Sequence, residues 1–191
     1  MLTNLEKYDI VLGSNSPRRR QLLEDMDVKF RVEAIGGIDE RYPDELPVDD
    51  IAQYLACLKS NGHPLQPNEL LITADTIVVC DNQVLGKPHD AADARRMLQM
   101  LSGRRHRVIS GVCLRTKSRA EALSEVSVVK FAPLNAAEIA YYVEHYSPLD
   151  KAGAYGIQEW IGNIGIEGIE GDFYNIMGLP TCKLYQALKT F

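Results

Sequence analysis

At 191 residues, 46% hydrophobic and 25% charged, the chain has the composition of an ordinary globular protein with ample core material; one domain, with room for two lobes, is expected. A formal charge of -5 argues against general nucleic-acid binding, which phosphate neutralisation drives. No apolar run approaches the roughly 18 residues that cross a bilayer, and the opening MLTNLEKYDI has neither a basic leader nor a hydrophobic signal core, so a cytoplasmic protein off the membrane is expected.

Tyr8 to Leu12 reads as a strand, and Gly13-Ser14-Asn15-Ser16-Pro17 as a turn into a helix carrying Leu22, Leu23 and Met26. Ser16 suits the N-cap and Pro17 the first helical position. Free amides at that helix start, the Ser14 and Ser16 hydroxyls and the Arg18 and Arg19 guanidinium groups together describe an anion site. A capped helix with a solvated basic face accounts for the same residues. Phe30 to Ala34 can form a second strand, followed by a loop, Gly36 to Glu40, whose Asp39 and Glu40 carboxylates suit a solvated surface. Val48 opens a helix with Ile51, Tyr54, Leu55 and Leu58 at i, i+3, i+4, i+7, and Lys59 at the border of its apolar face.

Leu70 to Pro88, LLITADTIVVCDNQVLGKP, is the most informative stretch. Apolar and β-branched residues flank an Ala-Asp-Thr, and an unpaired carboxylate inside a buried strand costs several kcal/mol, roughly. Asp75 is therefore expected where the strand meets a polar cleft. Asp81-Asn82-Gln83 reads as a tight turn, and a hairpin would return Lys87 toward the Asp75 end. A carboxylate and an ammonium facing one cavity suit a reaction on an anionic substrate.

Asp90 caps a third helix with Ala94, Met97, Leu98 and Leu101 on one face, ended by Ser102-Gly103. Arg107 to Leu114 and Ser124 to Phe131 read as two strands joined by a polar loop, and Asn135 with Glu138 gives a capping-box start to a helix ending near Ser147-Pro148. From Lys151 to Gly178 glycine becomes frequent; Gly162, Gly165, Gly168 and Gly171 recur every third residue, which is too short a run for collagen and points to close backbone approach. Within it, Ala152 to Gln158 combines small residues, an aromatic and one amide, a mixture that can hold the edge of a base or serve as a plain glycine-rich connection. Pro180 begins a last helix with Leu184, Tyr185 and Leu188. The cysteines (57, 80, 113, 182) and histidines (63, 89, 106, 145) are dispersed, so neither zinc nor a disulfide framework is expected.

Familiar nucleotide and hydrolase signatures are absent: there is no G-x-x-x-x-G-K-[ST] and no G-x-G-x-x-G. The position two after Asp75 is Ile77 rather than a second carboxylate, and no nucleophile elbow occurs. Asp75 with lysines, arginines and further carboxylates fits metal-assisted attack by water on phosphorus.

Six blocks in order carry a resemblance: S-N-S-P-R-R-R-Q-L-L at 14–23, T-A-D-T-I-V-V at 73–79, L-G-K-P at 85–88, L-S-G-R-R-H-R-V at 101–108, D-K-A-G-A-Y-G-I-Q at 150–158 and G-L-P at 178–180. The chain resembles the Maf family across nearly its whole length. The resemblance implies one α/β domain over 1–191, akin to inosine triphosphate pyrophosphatases: a mixed twisted sheet with helices on both sides, and two lobes around a cleft. It implies hydrolysis of nucleoside triphosphates to the monophosphate and pyrophosphate with a divalent cation, Mg²⁺ or Mn²⁺. Position by position, Asp75 becomes the acidic residue that activates water, as base or as metal ligand, and Glu40 helps place the metal. Lys59 and Lys87 neutralise charge at the scissile bond, while Ser14, Ser16, Arg18 and Arg19 hold phosphates. Arg18, Thr76 and Gln158 agree with the branch similar to dTTP and UTP pyrophosphatases, and a carboxamide offers both donor and acceptor to a pyrimidine edge. Glu159-Trp160 departs from the small residues that usually follow that Gln. A homodimer is the family expectation. Two other readings remain: a nucleotide-binding regulator of cell division, which would not need Asp75, and a house-cleaning hydrolase of purine nucleotides, for which Gln158 is incidental.

Overall fold

Short parallel strands alternating with helices open the chain, where the first apolar runs predict them. The structure is a computed structural model in which residues 2–191 are described. In chain order it runs through β1 (Asp9–Leu12), α1 (Pro17–Asp25), β2 (Arg31–Val32), α2 (Ile51–Asn61), β3 (Glu69–Cys80) and β4 (Gln83–Leu85). Then follow α3 (Ala91–Leu101), β5 (Arg105–Arg115), β6 (Ala120–Phe131), α4 (Ala136–Tyr146), α5 (Trp160–Gly165), β7 (Ile166–Glu170), α6 (Phe173–Met177) and α7 (Thr181–Thr190). The strands form one mixed sheet in the order β2-β1-β3-β5-β6-β7, with β4 paired to β3. The α/β class read from the sequence holds.

Chain contacts divide the molecule into two compact units. The first comprises the chain through Thr76, Ser110–Glu125 and Gly178–Phe191. In it β1 pairs in parallel with β2 (Val11↔Arg31) and with β3 (Asp9↔Glu69 to Leu12↔Ile72). Val11, Leu12, Leu71 and Ile72 are buried on these strands, as the apolar runs require. Ser16 caps α1 by accepting from the Arg19 amide at 3.4 Å, with Pro17 in the first turn. Helix α2 lies tightly on β5: a Cβ added at Gly111 would fall 2.3 Å from the Gln53 Cα, so only glycine fits there. Val48–Asp50, read as the start of α2, is a short 3-10 turn leading into it.

The second unit comprises Ile77–Ile109 and Val126–Met177. Its core gathers Val78, Leu85, Leu98, Leu101, Phe131, Tyr142 and Ile161. The β3–β4 hairpin (Val78↔Leu85, Cys80↔Gln83) turns through Asp81 and Asn82, both at positive φ, as that dipeptide predicts. Asp90 caps α3 and the Asn135–Glu138 capping box opens α4. The glycine-rich stretch is more structured than its composition indicates. It folds into α5, β7, which pairs antiparallel with β6, and α6. Gly162 is there for close approach, since a Cβ would lie 1.8 Å from the Ile157 carbonyl oxygen, and Gly171 for its φ of 103°.

One difference matters for the site. The sequence reading puts Asp75 where a strand ends; β3 instead runs unbroken from Glu69 to Cys80, and Asp75 and Thr76 are its two partly exposed positions among buried neighbours. The strand tolerates the carboxylate because a cation meets it there.

Candidate functional site

Strand alternation puts Thr73 and Asp75 on one face of β3, and helical spacing puts Ala56 and Lys59 on one face of α2. Thr73 Oγ1 donates to the Ala56 carbonyl at 2.7 Å within the core, which fixes the two elements in register. Two residues on along the strand and three along the helix, Lys59 Nζ donates to Asp75 Oδ1. Both side chains are largely buried, at 16% and 13% exposure. The same Nζ lies 3.0 Å from Glu40 Oε2, on the loop after β2. Two carboxylates from distant parts of the chain thus converge on one ammonium.

The neighbouring strand positions belong to Arg19. Its Nη1 donates to the Ala74 carbonyl at 2.8 Å and to Ser14 Oγ at 3.3 Å, its Nη2 to Thr76 Oγ1 at 3.1 Å, and its Nε to the Gly178 carbonyl at 2.9 Å. Burial pushes the Arg19 guanidinium below its ordinary pKa, while the Asp75 carboxylate acts the other way. Arg19 therefore clasps the turn after β1, the middle of β3 and the start of the last segment. Ser14 Oγ also accepts the Ser16 amide at 3.2 Å, so both hydroxyls of the turn are oriented by the backbone. A Cβ at Gly13 would press on the methyl groups of Ile35 and Thr73, at 2.6 and 2.9 Å. Arg18 stands next to Arg19 in the first turn of α1 and is half-buried.

The first unit therefore holds two bonded groups at successive positions of β3, Asp75 with Lys59 and Glu40, and Arg19 with Ser14 and Thr76, with Ser16 at the cap of α1. Lys87 and Gln158 belong to the second unit and are exposed. Their loops are joined: the Gly153 amide donates to the Gly86 carbonyl at 3.0 Å. Gln158 is held by its neighbours. Glu159 accepts from Tyr142 OH and lies 3.1 Å from Lys151 Nζ, and Tyr142 OH in turn accepts the Gly156 amide at 3.0 Å. Burial, then Glu159, raises the Tyr142 phenol well above its usual pKa.

Sequence reasoning missed Ser110, whose hydroxyl lies 2.8 Å from Thr76 Oγ1, and the Tyr142–Glu159–Lys151 network. A buried lysine inside the D-K-A-G-A-Y-G-I-Q block was the available signal for the latter; Lys151 is 8% exposed.

Two carboxylates on one ammonium, and a turn whose two hydroxyls are oriented beside a buried guanidinium, make up the chemistry of this face. Residues 9–191 match the family described as Maf-like protein. The chain belongs to the Maf family. A Maf relative from Phocaeicola vulgatus, named dTTP/UTP pyrophosphatase, is 53% identical over 191 residues, covering 99% of both chains. One from Porphyromonas gingivalis with the same name is 51% identical over 195 residues, covering 100% of this chain and 98% of the relative. Among solved structures, the Staphylococcus aureus Ham1 protein aligns over 65% of this chain and 72% of that one at 14% identity, with a TM-score of 0.46.

Within this Maf chain, Asp75 and Glu40 each have a second carboxylate oxygen beyond the one that meets Lys59. A hard divalent ion is commonly held by one or two carboxylates together with substrate phosphates, so the donor set fits Mg²⁺ or Mn²⁺. A separate group of metal-type ligands, Glu33, His63 and Glu69, lies elsewhere on the first unit.

Proposed function

We propose that the protein is a nucleoside triphosphate pyrophosphatase that hydrolyses dTTP and UTP to the monophosphate and pyrophosphate. The observation that carries this reading is the Asp75 carboxylate held by Lys59 within a buried strand, in a chain about half identical to relatives named for that reaction.

In the mechanism, Asp75 orients or deprotonates the water that attacks the α-phosphorus, with Lys59 aiming the carboxylate. Ser14, Ser16, Arg18 and Arg19 hold the phosphates, and Lys59 and Lys87 offset the charge that builds on the leaving pyrophosphate. A divalent ion held by Asp75 and Glu40 supplies further charge neutralisation along the triphosphate when bound. Because four bonds already engage Arg19, its contribution is chiefly to fix Ser14 and Thr76. Gln158 offers its carboxamide to the pyrimidine edge, and Arg18 and Thr76 complete the pattern of the dTTP/UTP branch.

A cytoplasmic enzyme acting as a homodimer is the setting we infer from the family; no helix among the described residues is long and apolar enough to cross a membrane. No observation favours the cell-division regulator over the enzyme. Pyrophosphate release from dTTP, UTP and a panel of modified and purine nucleoside triphosphates, with Mg²⁺ or Mn²⁺, tests the reading. Release from the pyrimidine nucleotides first is expected. Tight binding without product would favour the regulator, and a purine preference would favour the house-cleaning alternative.

A further inference from the structure

Three parallel strands of the first unit open on charged residues: Asp9 of β1 and Glu69 of β3 start side by side, and Arg31 starts β2 opposite Val11. Arg31 donates to Asp9 Oδ2 at 2.9 Å, to Glu33 Oε2 and to Glu69 Oε1. Three carboxylates meet one guanidinium, which leaves two formal negative charges uncompensated in the cluster. His63 enters between the remaining oxygens, with Nδ1 3.7 Å from Glu33 Oε1 and Nε2 3.5 Å from Glu69 Oε2.

His63 is 8% exposed, and its Nε2 has no hydrogen-bond partner. Burying a ring nitrogen without a partner is costly, and the backbone that carries the ring is fixed: Arg115 Nη2 donates to the His63 carbonyl at 2.6 Å and Nε to Ser60 Oγ at 2.9 Å. Glu69 is fixed as well, its Oε2 accepting the Gln66 amide at 2.7 Å. One ligand atom each from Glu33, His63 and Glu69 lies within 4.8 Å of the other two.

We propose that Glu33, His63 and Glu69 form a second divalent-metal site, distinct from the Asp75–Glu40 pair and of the zinc type. One imidazole nitrogen and two carboxylate oxygens are a donor set for a borderline ion such as Zn²⁺, with a fourth position left to water. Two positive charges match the cluster's formal excess. Arg31 serves as the outer partner that orients both carboxylates, the role such groups play around metal ligands. The site is remote from the proposed chemistry: Glu69 and Asp75 are six residues apart on one strand, about 20 Å at strand rise. Its effect is to tie the segments just after β2 and α2 to the start of β3, so it stabilises the first unit without entering the reaction. The dispersed histidines and acids gave no spacing signal because the three ligands come from three separate elements.

The test is titration of the metal-free full-length protein with Zn²⁺ alone by calorimetry, paired with Co²⁺ spectra of the same preparations. Wild type should bind Zn²⁺ and melt at a higher temperature with it. His63→Gln and, as a surface-side check on folding, Glu33→Gln should weaken that binding at least about tenfold while keeping pyrophosphate release. Glu40→Gln should retain it. Co²⁺ should give ligand-field bands without a thiolate charge-transfer band. Absence of Zn²⁺ binding in wild type, full binding in both His63→Gln and Glu33→Gln, loss of binding only in Glu40→Gln, or a thiolate band that assigns the metal to cysteine would each overturn the proposal.

Discussion

Lys59 meets Asp75 because a neighbouring bond has already set the register: Thr73 captures the Ala56 carbonyl, and the lysine and the carboxylate fall opposite each other one step further along α2 and β3. A largely buried carboxylate depends on that ammonium. Removing Lys59 leaves the charge inside β3 with less compensation, so Lys59→Met should cost roughly 3 kcal/mol, the low end for buried pairs because both side chains keep an edge in water. Denaturant unfolding of the variant measures this directly. An unchanged midpoint would mean the pair contributes nothing net.

Arg19 makes a separate prediction. Its planar fork serves four acceptors on three segments, which a lysine cannot reproduce. Arg19→Lys should lose about 2 kcal/mol of stability and lower turnover with it, since the Ala74 and Gly178 carbonyls lose their donor. If the residue instead acted only as a phosphate charge, Arg19→Lys would keep its melting temperature and change mainly KM.

The sequence made much of this legible. The Ser16 cap, the Asp81-Asn82 turn, the capping box at Asn135 and the apolar faces of α2 and α3 all rest on local rules and were read directly. Asp75 stood out as a charge amid β-branched residues, although not as a residue inside an unbroken strand, because the compensating Lys59 is 16 positions away. The interior of 151–178 was opaque for a different reason. Its helices are five and six residues long and β7 is held by cross-strand pairing with β6, so neither periodicity nor propensity had room to show.

In the second unit, Glu159 follows Gln158 directly and is bonded on one side to Tyr142 and on the other to the buried Lys151. Glu159→Gln keeps the shape but removes one of the two carboxylate charges, with Asp150, that hold Lys151. The expected outcome is a KM for UTP raised about tenfold with kcat little changed, because binding is lost equally in ground and transition states. A fall in kcat at constant KM would assign Glu159 to the chemistry.

His106 predicts a pH dependence. It is buried between Phe131 and Tyr155, with ring centroids 5.2 and 5.4 Å away, and burial lowers its pKa from 6.5 to about 4. The folded ring stays neutral where the unfolded one is protonated, so the unfolded state binds more protons in that window. Stability present above pH 6.5 is lost as the pH falls toward 4, by about 3 kcal/mol. Urea midpoints across that range should show the slope, and His106→Gln should flatten it.

The account turns on the carboxylate at position 75. The direct measurement is the rate of pyrophosphate release from UTP at saturating Mg²⁺ by Asp75→Asn, with cooperative melting as proof of folding. A fall of about 100-fold or more relative to wild type is predicted. A folded Asp75→Asn enzyme that turns over within a few-fold of wild type would contradict it.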